Sequence, residues 1–144
     1  MIKIICVGKV KEKYLRDGID DYLKRLTKYH KVEIIEINDS NMEEEAKGII
    51  RYITPRDYII TLEIEGNMIG SKELSDIIDK TFITNSNIDF IIGGSEGLSS
   101  SIKNISNYKL SFSKLTFPHQ LFRLVLLEQI YRSFKILNNE TYHK

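Results

Sequence analysis

Short, almost wholly apolar runs alternate with longer stretches of helical spacing along this chain, and that alternation restricts its fold more than any single motif does. Ile2–Val7, Val32–Ile37, Tyr58–Glu63, Ile88–Ile92 and Tyr108–Ser111 read as strands, most of them too apolar for a sheet with one wet face. Between them lie helical stripes. Tyr14, Leu15, Ile19, Tyr22, Leu23 and Leu26 share one face of residues 13–28, and Met42, Ala46, Ile49 and Ile50 share one near Glu43–Tyr52. Thr54 to Asp57 forms a turn around Pro55. Ser71 is placed to cap a helix that buries Leu74, Ile77, Ile78 and Phe82. Pro118 opens a last helix reaching about Leu137. Strands alternating with helices predict an α/β domain with a mainly parallel sheet flanked by helices. No repeat, linker or low-complexity tract divides it, so residues 1–144 are read as one domain.

The last helix is unusual in being apolar nearly all round, from Leu121 and Phe122 through Leu124–Leu127 to Ile130, Tyr131 and Phe134. One sheet face covers one stripe of a helix, so a second apolar surface is required, and a twin subunit is the simplest source.

With 144 residues the chain can bury roughly two-thirds of its surface without a disulfide or metal staple. Its lone cysteine, Cys6, has no partner within the chain, which suits a reducing compartment. Charges interrupt every apolar stretch before it reaches membrane-spanning length, and the N-terminus lacks the pattern of a signal peptide, so the expected location is cytoplasmic. The net charge of +1 conceals a pattern. Residues 1–31 hold nine Lys and Arg against four Asp and Glu; residues 32–105 hold six against fourteen; residues 106–144 hold six against two. The basic ends form one face for an anionic partner if they meet in space, or are scattered, solvated lysines if they do not; charge alone favours the second reading.

In a parallel α/β sheet ligands bind beyond the carboxyl ends of the strands. Three such ends stand out: Leu62 and Glu63, the loop Gly93-Gly94-Ser95-Glu96-Gly97, and Phe112 through Pro118. The glycine loop matches neither the dinucleotide fingerprint nor the phosphate loop. It is either a tight turn or a place where a ligand meets bare backbone, and a side chain at Gly93 is expected to block that approach. The Phe112–Gln120 segment mixes aromatics with hydroxyls before a helix. It reads as a hydrophobic capping segment or as a rigid loop holding a nucleoside. The terminal Tyr142, His143 and Lys144 stand where chains usually fray. His30, His119, His143 and Cys6 lack metal-ligand spacing, and no nucleophilic triad can be assembled from the sequence.

Taken together these segments resemble one family. The resemblance runs through Val7-Gly8-Lys9 and Lys11-Glu12-Lys13-Tyr14, Ile60-Thr61-Leu62-Glu63, Ile92–Gly97, Leu110–His119, Leu127–Arg132 and Tyr142-His143-Lys144. The family is the ribosomal large-subunit pseudouridine N3-methyltransferases of the knotted SPOUT class. It implies a C-terminal trefoil knot, an exception to the general absence of knots, a homodimer, and S-adenosyl-L-methionine bent into the knot. By position, the resemblance puts the cofactor against Leu62, Gly93, Phe112, Ser113, Lys114, Leu115, Thr116 and Phe117. The reaction it implies is methylation of N3 of a pseudouridine in large-subunit ribosomal RNA, on the assembled ribosome, without a metal. His143 and Tyr142 are candidates for positioning and proton handling, and Arg123 and Lys144 for phosphate or imidate charge; His119 is as readily structural. Two features depart from the family: a short stretch between Ile37 and Ile49, and Asn67 after Gly66 where lysine is frequent. Methylation of another RNA, such as tRNA, and a non-catalytic role on the ribosome are the alternatives.

Overall fold

The computed structural model describes residues 1–143. Five strands form one sheet: β1 (Ile2–Val7), β2 (Val32–Ile37), β3 (Tyr58–Met68), β4 (Ile88–Ile92) and β5 (Tyr108–Ser111). All are parallel, in the order β2-β1-β4-β3-β5. The helices are α1 (Lys13–Leu26), α2 (Met42–Ile50), α3 (Ser71–Thr84), α4 (Ser100–Ile105) and α5 (His119–Leu137).

The period of two along each strand divides the interior. Ile2, Ile4 and Cys6 of β1 join Phe90 and Ile92 of β4 in the larger core, packed against α1, α3 and α5. Ile5 and Val7 join Ile35, Ile37 and Ile91 in the smaller one, under α2 and α4. Both faces are covered, which is why the strands carry few polar residues.

Four strands have the bounds expected from sequence. β3 runs five residues further, to Met68, because its pairing with β5 shifts between Leu62 and Asn67 and the intervening residues bulge outward. Asn67 donates to the Lys109 carbonyl at 3.2 Å, an edge contact within the sheet. Helix α4 was not foreseen. Only Ile102 of its six residues is buried, so no apolar period announces it, and Ser99 caps it. Three further expectations need correcting. Gly70, not Ser71, is the N-cap of α3, where Glu73 reaches back to the Gly70 N–H. Pro118 is the N-cap of α5 rather than a first-turn residue. Tyr14 and Ile50 are exposed, since each lies at the margin of its stripe.

The apolar circumference of α5 is accounted for in part within one chain. Leu126, Leu127, Ile130, Tyr131 and Phe134 are buried, and α1 and α3 pack along the two flanks of the helix. Leu121, Phe122, Leu124 and Val125 stay only half-buried, so the sheet, α1 and α3 cover part of the helix and leave an apolar stripe over. From β5 at the sheet's edge the chain returns to the end of β1, three strands away, where Arg123 is bound.

At the opposite end of the sheet Lys3 stands beside Asp89 in the β1–β4 register. Its ammonium is 2.6 Å from Asp57, 2.6 Å from the Tyr52 carbonyl and 3.5 Å from Asp89. Asn87 and Thr54 also donate to Asp57. Asp57 consequently stays well below the ordinary carboxylate range despite burial, held there by its hydrogen bonds. Asp89 goes the other way, pushed up to about 8, by burial first and by the neighbouring Asp57 second.

The folded state thus keeps the Asp89 proton where the unfolded chain has lost it, from about pH 4 upward. Stability from this group is full below that value and is lost as pH rises towards 8. Asp89→Asn keeps a neutral side chain of the same shape. Urea midpoints should fall from pH 5 to pH 9 in the parent protein and fall much less in the variant; parallel curves would contradict the assignment.

Candidate functional site

β4, β3 and β5 are neighbours in the sheet, so the three strand ends singled out from sequence do converge. They enclose a cavity of about 610 Å³, within the range of roughly 300–1,000 Å³ usual for small-ligand sites. Seven of the eight residues expected to hold a cofactor line it: Leu62, Gly93, Phe112, Ser113, Leu115, Thr116 and Phe117. Lys114 does not; it is exposed on the same loop.

The glycine loop is locked by its own backbone. The Gly97 N–H donates to the Gly94 carbonyl at 3.0 Å. A Cβ on Gly93 would lie 2.7 Å from the Gly97 carbonyl carbon, so a side chain there would break the loop before it met a ligand. Gly93 still lines the cavity with its backbone, so a substitution expected only to block a ligand would also disturb the loop. Gly97 is required for its conformation: its φ is +82°, and a Cβ there would meet nothing within 4 Å. Bare backbone in an open cavity is a cradle that a flat heterocycle can enter.

The Phe112–Phe117 loop is packed on its own helix and faces the cavity. Phe112 and Phe117 pack on Phe122, with ring centroids 4.9 and 5.6 Å apart. Ser113 accepts the Leu115 N–H at 2.9 Å, and Ser111 donates to the Ser113 carbonyl at 3.2 Å. The packing fixes the loop, and the fixed loop forms a wall of the cavity. Leu115 is 76% exposed. Sequence reasoning missed Lys103, which lies on unforeseen α4, and underrated Glu63. Thr61 donates to Glu63 at 2.6 Å and holds its carboxylate at the cavity, 3.9 Å from Lys103.

Arg123 lies elsewhere. It is fully buried, its Nη2 donating to the carbonyls of Val7 and Gly8 at 3.0 Å each and its Nη1 to Glu36 at 2.8 Å. It pins α5 to the end of β1 and has no surface to offer RNA. The candidate phosphate or imidate cation is a structural clamp.

The C-terminal tail folds back on α5 instead of fraying. Glu128 accepts two bonds from Arg132, both at 3.1 Å, and one from the Tyr142 hydroxyl at 3.0 Å. Tyr142 meets the Tyr131 ring edge-on at 5.1 Å. Burial, with the bonds to Tyr22 and Glu128 next, pushes its phenol up, so Tyr142 is a donor rather than a proton acceptor. His143 Nδ1 lies 3.1 Å from Arg132 Nη1. A guanidinium only donates, so Nδ1 accepts. Arg132 and Glu128 organise the tail and were not named as site residues from sequence. Lys144 lies outside the described residues. None of these groups lines the cavity. Arg132 is ten residues beyond Phe122, about 15 Å along the helix.

Among the described residues no group of His, Cys, Asp and Glu is placed to hold a metal ion, and no helix is long and apolar enough to cross a membrane. A parallel sheet with an ordered loop wall at the ends of its last strands is the SPOUT methyltransferase arrangement. The profile described as "Predicted SPOUT methyltransferase" matches residues 1–143. Solved structures share the fold: a probable methylase family protein from Haemophilus influenzae (TM-score 0.59, 12% identity, 99% of this chain and 70% of that one) and a tRNA (m1G37) methyltransferase from Aquifex aeolicus (0.56, 14%, 91% and 69%). Sequence narrows the class. Two Clostridium botulinum proteins named ribosomal RNA large subunit methyltransferase H, from strains Loch Maree and Alaska E43, are 49% and 50% identical to this chain, over 99% of both partners in each case. The chain belongs to the ribosomal RNA large subunit methyltransferase H family.

The clamp assignment for Arg123 has a direct test. Arg123→Ala should lower stability by about 3 kcal/mol, through lost charged hydrogen bonds and a buried void. Arg123→Lys should recover little, since an ammonium cannot span Glu36 and two carbonyls as a planar fork does. Urea denaturation reads both. Full stability with lost methyl transfer would return Arg123 to the chemistry.

Proposed function

We propose that this protein methylates N3 of a pseudouridine in large-subunit ribosomal RNA, using S-adenosyl-L-methionine in the Leu62–Gly93–Phe112 cavity, and acts on the assembled ribosome as a homodimer. The observation that carries this reading is the similarity, at 49% and 50% identity over 99% of each chain, to relatives named as ribosomal RNA large subunit methyltransferases; the base and the atom follow from the sequence resemblance. The return of the chain from β5 to β1 past the glycine loop is read as the threading of the trefoil knot. The protein works in the cytoplasm, where its substrate is.

The cavity fits the cofactor in size and character. Gly97 offers bare backbone, Leu62, Leu98 and Leu110 offer apolar walls for an adenine, and Glu63 offers a carboxylate to hydroxyls or to positive charge. When bound, the cofactor supplies a methyl electrophile. The chain's own task is to bind, align and exclude water. N3 of pseudouridine is an imide nitrogen: it would give its proton to water and take the methyl group as the sulfonium S–C bond breaks to a thioether, and the negative charge of the deprotonated imide spreads onto the flanking carbonyls. His143, with Nδ1 occupied by Arg132, has Nε2–H free to donate to such a carbonyl. Tyr142 holds the tail in register through Glu128.

Within one subunit these groups are about 15 Å of helix away from the cavity. The homodimer resolves this: one subunit's tail completes its partner's pocket. Truncation before Tyr142 should leave cofactor affinity nearly intact and remove most methyl transfer. A pocket-blocked chain, Thr116→Arg, should be inactive with its tail whole. Mixing the two in equal amounts should restore about a quarter of parental activity, since half the dimers then hold one complete site. No recovery on mixing, with dimers present by sedimentation, would leave the tail working only within its own subunit.

The substrate test is separate. A net charge of +1 gives little counterion-release affinity for naked RNA, and no further RNA-binding module is present in the chain described. Methyl transfer should therefore be much faster on whole ribosomes than on extracted ribosomal RNA, and faster on pseudouridine than on uridine at the same position. Equal rates on extracted RNA overturn the assembled substrate. Equal rates on uridine overturn the base preference, and transfer to tRNA alone overturns the ribosomal reading.

A further inference from the structure

The segment between β1 and α1, residues 8–12, is not used by the cofactor cavity or the tail, yet it is among the most firmly held loops in the molecule. The Gly8 N–H donates to the Ile37 carbonyl at 2.7 Å, and the Gly8 carbonyl accepts from Arg123 at 3.0 Å. The Val10 N–H donates to Glu36 at 3.3 Å. Arg16 folds back from the first turn of α1 to the carbonyls of Val10 and Lys11, at 3.4 and 3.0 Å. The Lys11 N–H donates to Gln120 at 3.1 Å, which ties the loop to the start of α5. A residue earlier on that helix, His119 lines the cavity, its Nε2 3.7 Å from where a Cβ on Gly8 would lie. The loop is therefore a fixed lip of the pocket.

Two lysines project from this lip. Lys9 and Lys11 are exposed, and neither enters an ion pair among the described residues, whereas Lys13 pairs with Asp17 at 2.7 Å. Glu12 is the one carboxylate on the loop itself and is exposed beside Lys11; the others facing the loop are committed or few. Glu36 serves Arg123 and the Val10 N–H, and Asp39 lies near Gly8. Backbone held by side chains while cations are left free is the reverse of an ordinary surface loop, where lysine entropy and solvent dominate. It costs nothing further to order the backbone when an anion arrives, since the backbone that carries both lysines is already held. Phosphates of a strand whose base enters the cavity would have to pass close to this lip.

We infer that Lys9 and Lys11 form the phosphate-gripping edge of the RNA site, positioning the strand whose base is methylated. The inference rests on the RNA substrate proposed above. The lip carries no base-reading group, so it contributes affinity and register rather than sequence choice.

The test uses the full chain with Lys9→Ala and Lys11→Ala combined, and a second double variant with Lys9→Arg and Lys11→Arg. Association with purified large ribosomal subunits is measured by sedimentation across a salt series, with cofactor affinity measured by calorimetry. Two lost phosphate contacts should make the log affinity against log salt slope shallower by about 1.4 to 1.8. The arginine pair should restore the parental slope, and all three proteins should bind cofactor alike. An unchanged slope in the alanine pair overturns the inference, as does a slope that the arginines fail to restore. If the parent binds subunits with the expected slope change but transfers no methyl group to any RNA, the proposed function fails while the phosphate edge stands. If the parent shows no salt-dependent binding at all, the edge falls too.

Discussion

A guanidinium with no solvent exposure, bonded to the last carbonyl of one strand, to the carbonyl that follows it and to a carboxylate from the next strand, sets the positions of everything else in the site. The carbonyls of Val7 and Gly8 lie where the β1 ladder ends, and they need a donor. Arg123 supplies it from α5, so the end of the first strand and the start of the last helix are joined. A buried cation is tolerated only when its donors are met. Here Nη1 and Nη2 are met while Nε has no partner, so the pair acts as a fixed joint rather than a large source of stability. Because of that joint the chain between Ser111 and Arg123 is stretched between two anchored points. Phe122, next to Arg123, becomes the surface on which Phe112 and Phe117 pack. The cavity wall is thus a consequence of the clamp, and so is the neighbouring lip of residues 8–12, which shares the same arginine.

From this joint α5 carries position to a distant place. Its first turn borders the cavity through His119 and Phe122, and its later turns hold Glu128 and Arg132 under the tail. α1 and α3 grip the helix on both flanks, with Tyr22, Tyr29 and Tyr131 in edge contacts 5.8 and 6.1 Å apart between the first helix region and the last. A rigid rod of this kind keeps its two ends apart as reliably as it aligns them. The separation of tail and pocket inside a subunit therefore follows from the same packing that makes each of them ordered.

The fold was legible where burial is two-sided. Runs such as Ile88–Ile92 are apolar but for Asp89 because helices cover both faces, and their ends could be placed to the residue. Where a segment spends few apolar residues the signal failed, as with α4 and its one buried Ile102, and with the β3 extension, whose bulge exposes Ile64. The pocket was legible because glycine and aromatic clusters at strand ends have few other uses. Arg123 was misread for a physical reason: a charge in an apolar helix looks like function when its partners, Glu36, Val7 and Gly8, lie more than eighty residues away. Lys3 with Asp57 and Asp89 was invisible for the same cause. Arg132 and Glu128 looked like an ordinary surface pair at helical spacing until Tyr142 and His143 were seen folded onto them.

The glycine loop and the aromatic loop share a design consequence. Both are shaped by contacts within the protein: Gly93 against Gly97, and Phe112 and Phe117 against Phe122. A cavity formed this way need not be ordered by its ligand, so binding energy is not consumed in arranging the wall. The same arrangement explains why an acidic group can be held at the cavity edge. Thr61 is fully buried in β3 and its hydroxyl fixes Glu63 two residues on, with Lys103 near enough to moderate the charge. A carboxylate held in a part-buried site favours a cationic occupant over a neutral one of the same shape. In the reaction proposed, the cofactor enters with a sulfonium and leaves as a neutral thioether. Glu63 would then bias the pocket towards the incoming form and weaken its hold on the spent one, without touching the atoms that react.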